Sequence, residues 1–154
     1  MLSSLELKIP PPVVALLIAV AMWVITRATV VSDVPALFRL PLAGALAIVG
    51  AAFDLSGLIA FRRARTTVNP MKPDATSALV QSGVYKITRN PMYVGLVFFL
   101  CAWAAYLWSY WALAGPLVFV GFISRFQIVP EENALSELFG AEYLAYKAKV
   151  RRWL

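Results

Sequence analysis

Histidine is absent from the 154 residues, which removes the commonest general base and metal ligand from any catalytic scheme. Cys101 is the sole cysteine. No internal disulfide and no cysteine cluster for zinc or iron–sulfur can form, and a lone thiol in an apolar run reads as a small packed residue. No metal is therefore expected. Charge is scarce as well: 14% of residues are charged and 61% are hydrophobic, against about 25% and 45–50% in a soluble domain. A Gly-rich dinucleotide loop of the soluble α/β type is missing, as are internal repeats and low-complexity segments. The first ten residues lack the basic n-region of a signal peptide, and Arg151 to Leu154 do not form a prenylation box. The expectation is an unprocessed chain of one domain, too short for several membrane spans plus a separate soluble catalytic domain of about 100 residues.

What is present is apolar and arranged in blocks. They run from about Pro12 to Val31, Leu40 to Phe61, Met92 to Trp108 and Trp111 to Val129. Each approaches the length of about 20 residues that crosses a bilayer as a helix. The reading is all-α, an integral-membrane protein of about four spans, with the third and fourth forming a tight hairpin across Ser109 and Tyr110. After Pro130 the pattern changes. Leu135, Leu138, Phe139, Tyr143, Tyr146 and Val150 recur at helical spacing among charged residues. This is an amphipathic helical segment with Gly140 as a candidate break. It reads either as a membrane-surface helix or as a lid over a site at the ends of the spans.

The net charge of +6 is distributed unevenly. Arg62, Arg63, Arg65, Lys72, Lys86 and Arg89 lie between the second and third blocks against one acid, Asp74, and Lys147, Lys149, Arg151 and Arg152 lie in the tail. The opposite side carries Asp33 and Arg39 and an uncharged turn, Trp108 to Trp111, of interfacial character. The positive-inside rule then puts both termini and the middle loop in the cytoplasm, which means the inner membrane in a prokaryote. The basic loop serves orientation and anionic-lipid contact, so the bilayer is the expected partner and nucleic acid is not. Ala43, Ala47 and Ala51, with Gly50 and Gly57, give the second block a small-residue face for close helix packing, either internally or in a homodimer.

Three constellations could carry chemistry. Asn90-Pro91 is a helix-start signal, with Asn as cap and Pro in the first turn. It is either a capped membrane helix beside a snorkelling Arg89, or an anion site at a helix N-terminus. Glu131 and Glu132 follow the fourth block; they are first-turn acids favoured by the helix dipole, or the binding site of a cationic group. Asp54 and Arg125 are charges within spans, Asp54 about seven residues or roughly 10 Å from the end of its block. They are either paired with each other or functional.

The run Gly83-x-Tyr85-x-x-x-Arg89-Asn90-Pro91-x-Tyr93-x-Gly95 resembles the Arg-His-Pro-x-Tyr-x-Gly signature of the isoprenylcysteine carboxyl methyltransferase family, whose general plan is shared by the phospholipid methyltransferases. Glu131-Glu132-x-x-Leu135 and Phe139-Gly140-x-Glu142-Tyr143-x-x-Tyr146 resemble that family's tail. The resemblance runs from about Gln81 to Arg152, with Asn90 where the family has histidine. It implies transfer of a methyl group from S-adenosylmethionine, leaving S-adenosylhomocysteine, to a lipophilic small molecule or prenylcysteine-like carboxylate in the membrane. The pocket would face the cytoplasm. On this resemblance Gln81, Gly83, Tyr85, Arg89, Asn90, Pro91, Tyr93, Gly95, Glu131, Tyr143 and Tyr146 bind the cofactor. Glu132 and Arg125 act on the acceptor. Asn90 and the helix start would take the cofactor's carboxylate, and a glutamate its ammonium. The competing readings are an NADPH-dependent membrane reductase of the sterol-reductase kind and a non-enzymatic lipid-binding or packing subunit.

Overall fold

The computed structural model describes residues 6–29, 34–64 and 78–154. Arg65, Lys72 and Asp74 of the basic loop, Asp33, and the last residues of the first apolar block lie outside the described residues. Among the described residues there is no strand; the architecture is all-helical. Helix α1 spans Pro11–Ala28, α2 Ala36–Ala64, α3 Pro91–Leu107, α4 Ala114–Ile123 and α5 Val129–Lys149. Helices α1 and α2 and the helical stretch that begins at Tyr110 are long and apolar enough to cross a membrane, and α3 is a shorter apolar helix of 17 residues. Leu16, Leu17, Ile48 and Leu117 are among the large apolar side chains left exposed on the outside of the bundle, as lipid-facing residues must be when the solvent is hydrocarbon.

Helices α2 and α3 pack closely because two glycines let them. A Cβ on Gly50 would stand 2.9 Å from the carbonyl oxygen of Gly95, and one on Gly57 would meet Met92 Cγ at 2.9 Å. These glycines of the small-residue face therefore serve internal packing. The interior is filled by Met22, Leu100, Phe119, Ile123 and Ile128, joined by Tyr93. The α3–α4 connection is as tight as expected: Trp108 adopts φ 51°, its N–H closes on Ala104, and a 3-10 turn at Tyr110–Leu113 leads into α4.

The fourth apolar block does not end in a new helix start. It runs through a π-helical turn, Ser124–Ile128, directly into α5. Pro130 explains the irregularity. It lacks the N–H that would bond the carbonyl four residues earlier, and the freed Phe126 oxygen accepts the Leu7 N–H at 3.2 Å instead. Wider turns of this kind are a usual response to such a break. The chain then reverses at Gly140, whose φ of 49° and ψ of −124° leave the helical region. A straight helix would separate Glu132 from Lys147 by about 22 Å, yet their charged groups are 3.1 Å apart.

Candidate active site

The reversal at Gly140 brings the two sequence motifs and the C-terminal tail to one end of the bundle. Arg89 stands at the centre, its side chain 9% exposed. Its Nη1 donates to the carbonyls of Lys147 at 3.0 Å and Val150 at 2.7 Å. These are terminal carbonyls of α5, where a cation also meets the negative end of the helix dipole. Its Nη2 donates to Glu132 Oε1 at 2.7 Å. Arg152 Nε and Nη2 donate to the two oxygens of Glu132 at 2.9 and 2.8 Å, and Lys147 closes the cluster. Burial alone would push the Glu132 carboxyl up, but the bonds from Arg152, Arg89 and Lys147 outweigh it and hold the group at about 2.

Residues 88–90 and 151–152 are tied edge to edge. Arg89 N–H donates to Arg151 O at 2.9 Å, and Thr88 Oγ1 and Asn90 Nδ2 both donate to Arg152 O, at 3.1 and 2.9 Å. Asn90 thus makes no side-chain cap; Pro91 starts α3 without one. The expectation of a capping Asn90 is corrected here, because its amide is spent on the tail. The dipole account of Glu131 and Glu132 is corrected too. Since α5 continues from the π turn, its first N–H groups are not free ends, and side chains hold both acids.

Glu131 has a different setting from its neighbour. Its Oε1 accepts Tyr93 Oη at 2.6 Å and Gln127 Nε2 at 2.7 Å. Burial pushes this carboxyl up, the bonds from Gln127 and Tyr93 oppose it, and the result is about 7. Two adjacent carboxyls are therefore driven apart, one fixed as an anion and one able to exchange a proton near neutrality.

The tyrosines complete this end. Tyr146 Oη donates to Tyr85 O at 2.7 Å, Tyr143 lies beside Tyr146, and burial raises Tyr143 to about 12. Gln81 bonds Glu142 at 2.9 Å, and Gly83 takes φ 62° at the start of the 3-10 turn Gly83–Lys86. The structure thus assembles Gln81, Gly83, Tyr85, Arg89, Asn90, Pro91, Tyr93, Glu131, Glu132, Tyr143 and Tyr146 at one end.

Two sequence-selected residues stand elsewhere. Gly95 faces α2, where a Cβ would overlap Asp54. Arg125, with its side chain half exposed, pairs with Glu6 at 2.9 Å. The Asp54–Arg125 pair does not form. Asp54 Oδ1 is buried without a hydrogen bond among the described residues, because Arg125 projects from the π turn toward the N-terminal segment. Sequence reading missed Gln127, Thr88 and the roles of Lys147 and Arg152. Gln127 carries a local signal, being one helical turn before Glu131. Arg152 carries none, since its partner is twenty residues away and only the reversal joins them. Among the described residues no group of His, Cys, Asp and Glu could hold a metal. A groove of about 360 Å³ lies at the opposite, hairpin end and is apolar.

Comparisons with known proteins bear on this geometry. The phospholipid methyltransferase family profile matches residues 38–142, more than half the chain. An uncharacterised protein of Haemophilus influenzae is 46% identical over 63 residues, 41% of this chain and 100% of that protein. Protein-S-isoprenylcysteine O-methyltransferase of Xenopus laevis is 39% identical over 84 residues, 47% of this chain. This match spans 25% of the Xenopus protein's length. No solved structure matches.

Proposed function

This chain belongs to the phospholipid methyltransferase family, and from that premise we propose that it transfers a methyl group from S-adenosylmethionine to a lipophilic acceptor carried in the bilayer. The observation that carries the reading is the junction of Tyr93 with Glu131, which unites the Arg89-Asn90-Pro91-x-Tyr93 run with the Glu131-Glu132 pair at one end of the spans. The residues there suit the cofactor's charges. Arg89 Nε is a buried donor with no partner among the described residues, the kind of atom a carboxylate would satisfy. Glu131, when ionised, would meet the ammonium. Tyr85, Tyr143 and Tyr146 are buried at the same end.

When bound, S-adenosylmethionine supplies an activated methyl group on a sulfonium. The chain's own part is positional and electrostatic. Tyr93 and Gln127 fix Glu131 Oε1, so the carboxylate points without reorganising. The Glu132 cluster locks α5 and the tail against residues 88–90, which holds the groups of the site in a fixed relation. Calorimetry of detergent-purified protein with S-adenosylmethionine and S-adenosylhomocysteine tests the reading. Binding of both, lost in Tyr93→Ala, is expected; folded protein that binds neither at millimolar concentration would overturn it.

We place this end in the cytoplasm. Arg62, Arg63, Lys86, Arg89, Lys147, Lys149, Arg151 and Arg152 all belong to it, against Arg27 and Arg39 at the hairpin end, in line with the positive-inside rule. A single thiol at Lys149→Cys, in a Cys101→Ser background, should resist a membrane-impermeant maleimide in intact cells and react after lysis. Labelling in intact cells would reverse the orientation.

A further inference from the structure

The π turn Ser124–Ile128 is held on successive residues by segments from outside its own helix. Trp153 Nε1 donates to Ser124 Oγ at 3.2 Å. Arg125 pairs with Glu6 at 2.9 Å, and the Phe126 oxygen accepts the Leu7 N–H at 3.2 Å. The next residue, Gln127, is 2% exposed and donates to Glu131 Oε1 at 2.7 Å. Four consecutive residues thus join the tail, the N-terminal segment and the transfer site. Turns of this kind are rare and occur mostly singly, often at functional sites. One residue more or less in such a turn rotates the helix after it by about 100°. Helix α4 is fixed in the core by Phe119 and Ile123, so the register of the turn decides whether Gln127 and Glu131 face Tyr93 of α3.

Of the outside contacts, the Glu6–Arg125 pair is exposed enough to contribute little. The tail contact is better protected. Past α5, Val150 is extended and Arg151 bridges to Thr88. Successive side chains of an extended segment point to opposite sides. Arg152 goes to Glu132, while Trp153 goes to Ser124 and packs on the core cluster that includes Tyr93 and Ile128. Packing needs only the ring; the N–H on Ser124 fixes where along the turn the indole sits. Neighbouring tail residues therefore support neighbouring acids, Arg152 directly and Trp153 through the π turn.

We propose that Trp153 is a positioning residue of the transfer site, holding Ser124 so that the π turn keeps Gln127 on Glu131. The catalytic consequence rests on the methyl-transfer reading; the geometry does not. The test follows the carboxyl stretch of protonated Glu131 in infrared pH titrations of the purified protein without cofactor, the band being the one absent in Glu131→Gln. The other groups acting on Glu131 do not titrate near its value of about 7. Glu132 is held at about 2, Tyr143 is raised to about 12, and burial drives Tyr85 and Tyr93 well up. Gln127→Leu removes a bond that lowers the carboxyl, so it should raise the midpoint by about one to two pH units. Trp153→Phe and Ser124→Ala, each removing one half of the tail contact, should raise it by part of that amount. Neither should add to the shift in a Gln127→Leu background, and the rise of kcat/KM with pH should move with the carboxyl. A midpoint that stays put or falls in the folded variants, or shifts that add fully to that of Gln127→Leu, would overturn the proposal. Should Trp153→Phe fail to fold, Ser124→Ala decides, because the ring is intact there. A shifted carboxyl with kcat/KM flat in pH for every protein would support the positioning of Glu131 and overturn its part in methyl transfer.

Discussion

Glu132→Gln is expected to lower the stability of the protein by about 3–5 kcal/mol, the usual consequence of removing one partner from a buried ion pair. The glutamate is 6% exposed and faces Arg89, Lys147 and Arg152 at once. Glutamine keeps the shape but leaves those cations uncompensated, with Arg89 the most deeply buried among them. In thermal unfolding of the detergent-solubilised protein this corresponds to a fall on the order of 10 °C. The pH dependence has a definite sign. The folded carboxyl titrates at about 2, below its ordinary range of about 4.3. Its contribution is therefore present above that range and is lost as pH falls toward 2. Wild type should lose stability between about pH 5 and 2, and Glu132→Gln should lose much less over that window. A variant as stable as wild type at pH 7 would show that the cluster is ornamental.

Glu131→Gln should behave in the opposite way, with a large effect on turnover and little on folding. The carboxyl titrates at about 7 in the folded protein, above its ordinary value. Folding thus favours its protonated form, and this contribution, full below about pH 4.3, disappears as pH rises through 7. Glutamine is uncharged at every pH, so the variant should not show that decline. Turnover follows the other form. If the ionised carboxylate meets the cofactor's positive charge, wild-type kcat/KM should rise through about pH 7. Glu131→Gln should abolish the rise and reduce the plateau. A hydrogen bond to a charged group contributes about 1.5–3 kcal/mol, which is roughly a 10–150-fold loss. A flat wild-type profile, or a variant with undiminished turnover, would remove Glu131 from the site.

The two glutamates show how far the amino-acid order reaches. Hydrophobic block length set the spans. α1, α2 and α3 lie close to the apolar blocks because hydrocarbon requires every backbone group to be bonded within the helix. The turn across Ser109 and Tyr110 and the break at Gly140 were legible for similar reasons, since both depend on local backbone preference. The two motifs could be read as a pair because each is a short run on one side of the membrane.

Which of two adjacent carboxyls is an ion and which exchanges a proton was not legible. That choice depends on Arg152 and Lys147 arriving after a chain reversal, and on Tyr93 arriving from another helix. Asn90 illustrates the same limit. Alone it is a good helix cap, but in the fold its amide goes to the Arg152 carbonyl, because a tail laid alongside residues 88–90 competes for the same donor. Asp54 and Arg125 are a plausible pair by depth. Only the continuous helix through Pro130 turned Arg125 toward Glu6 and left Asp54 Oδ1 without a hydrogen bond among the described residues. Sequence by itself determined the spans and where they turn, because those follow from burial and backbone propensity along the chain. Tertiary structure decided the partners of each charge, because electrostatic pairing depends on distances between segments that no local pattern records.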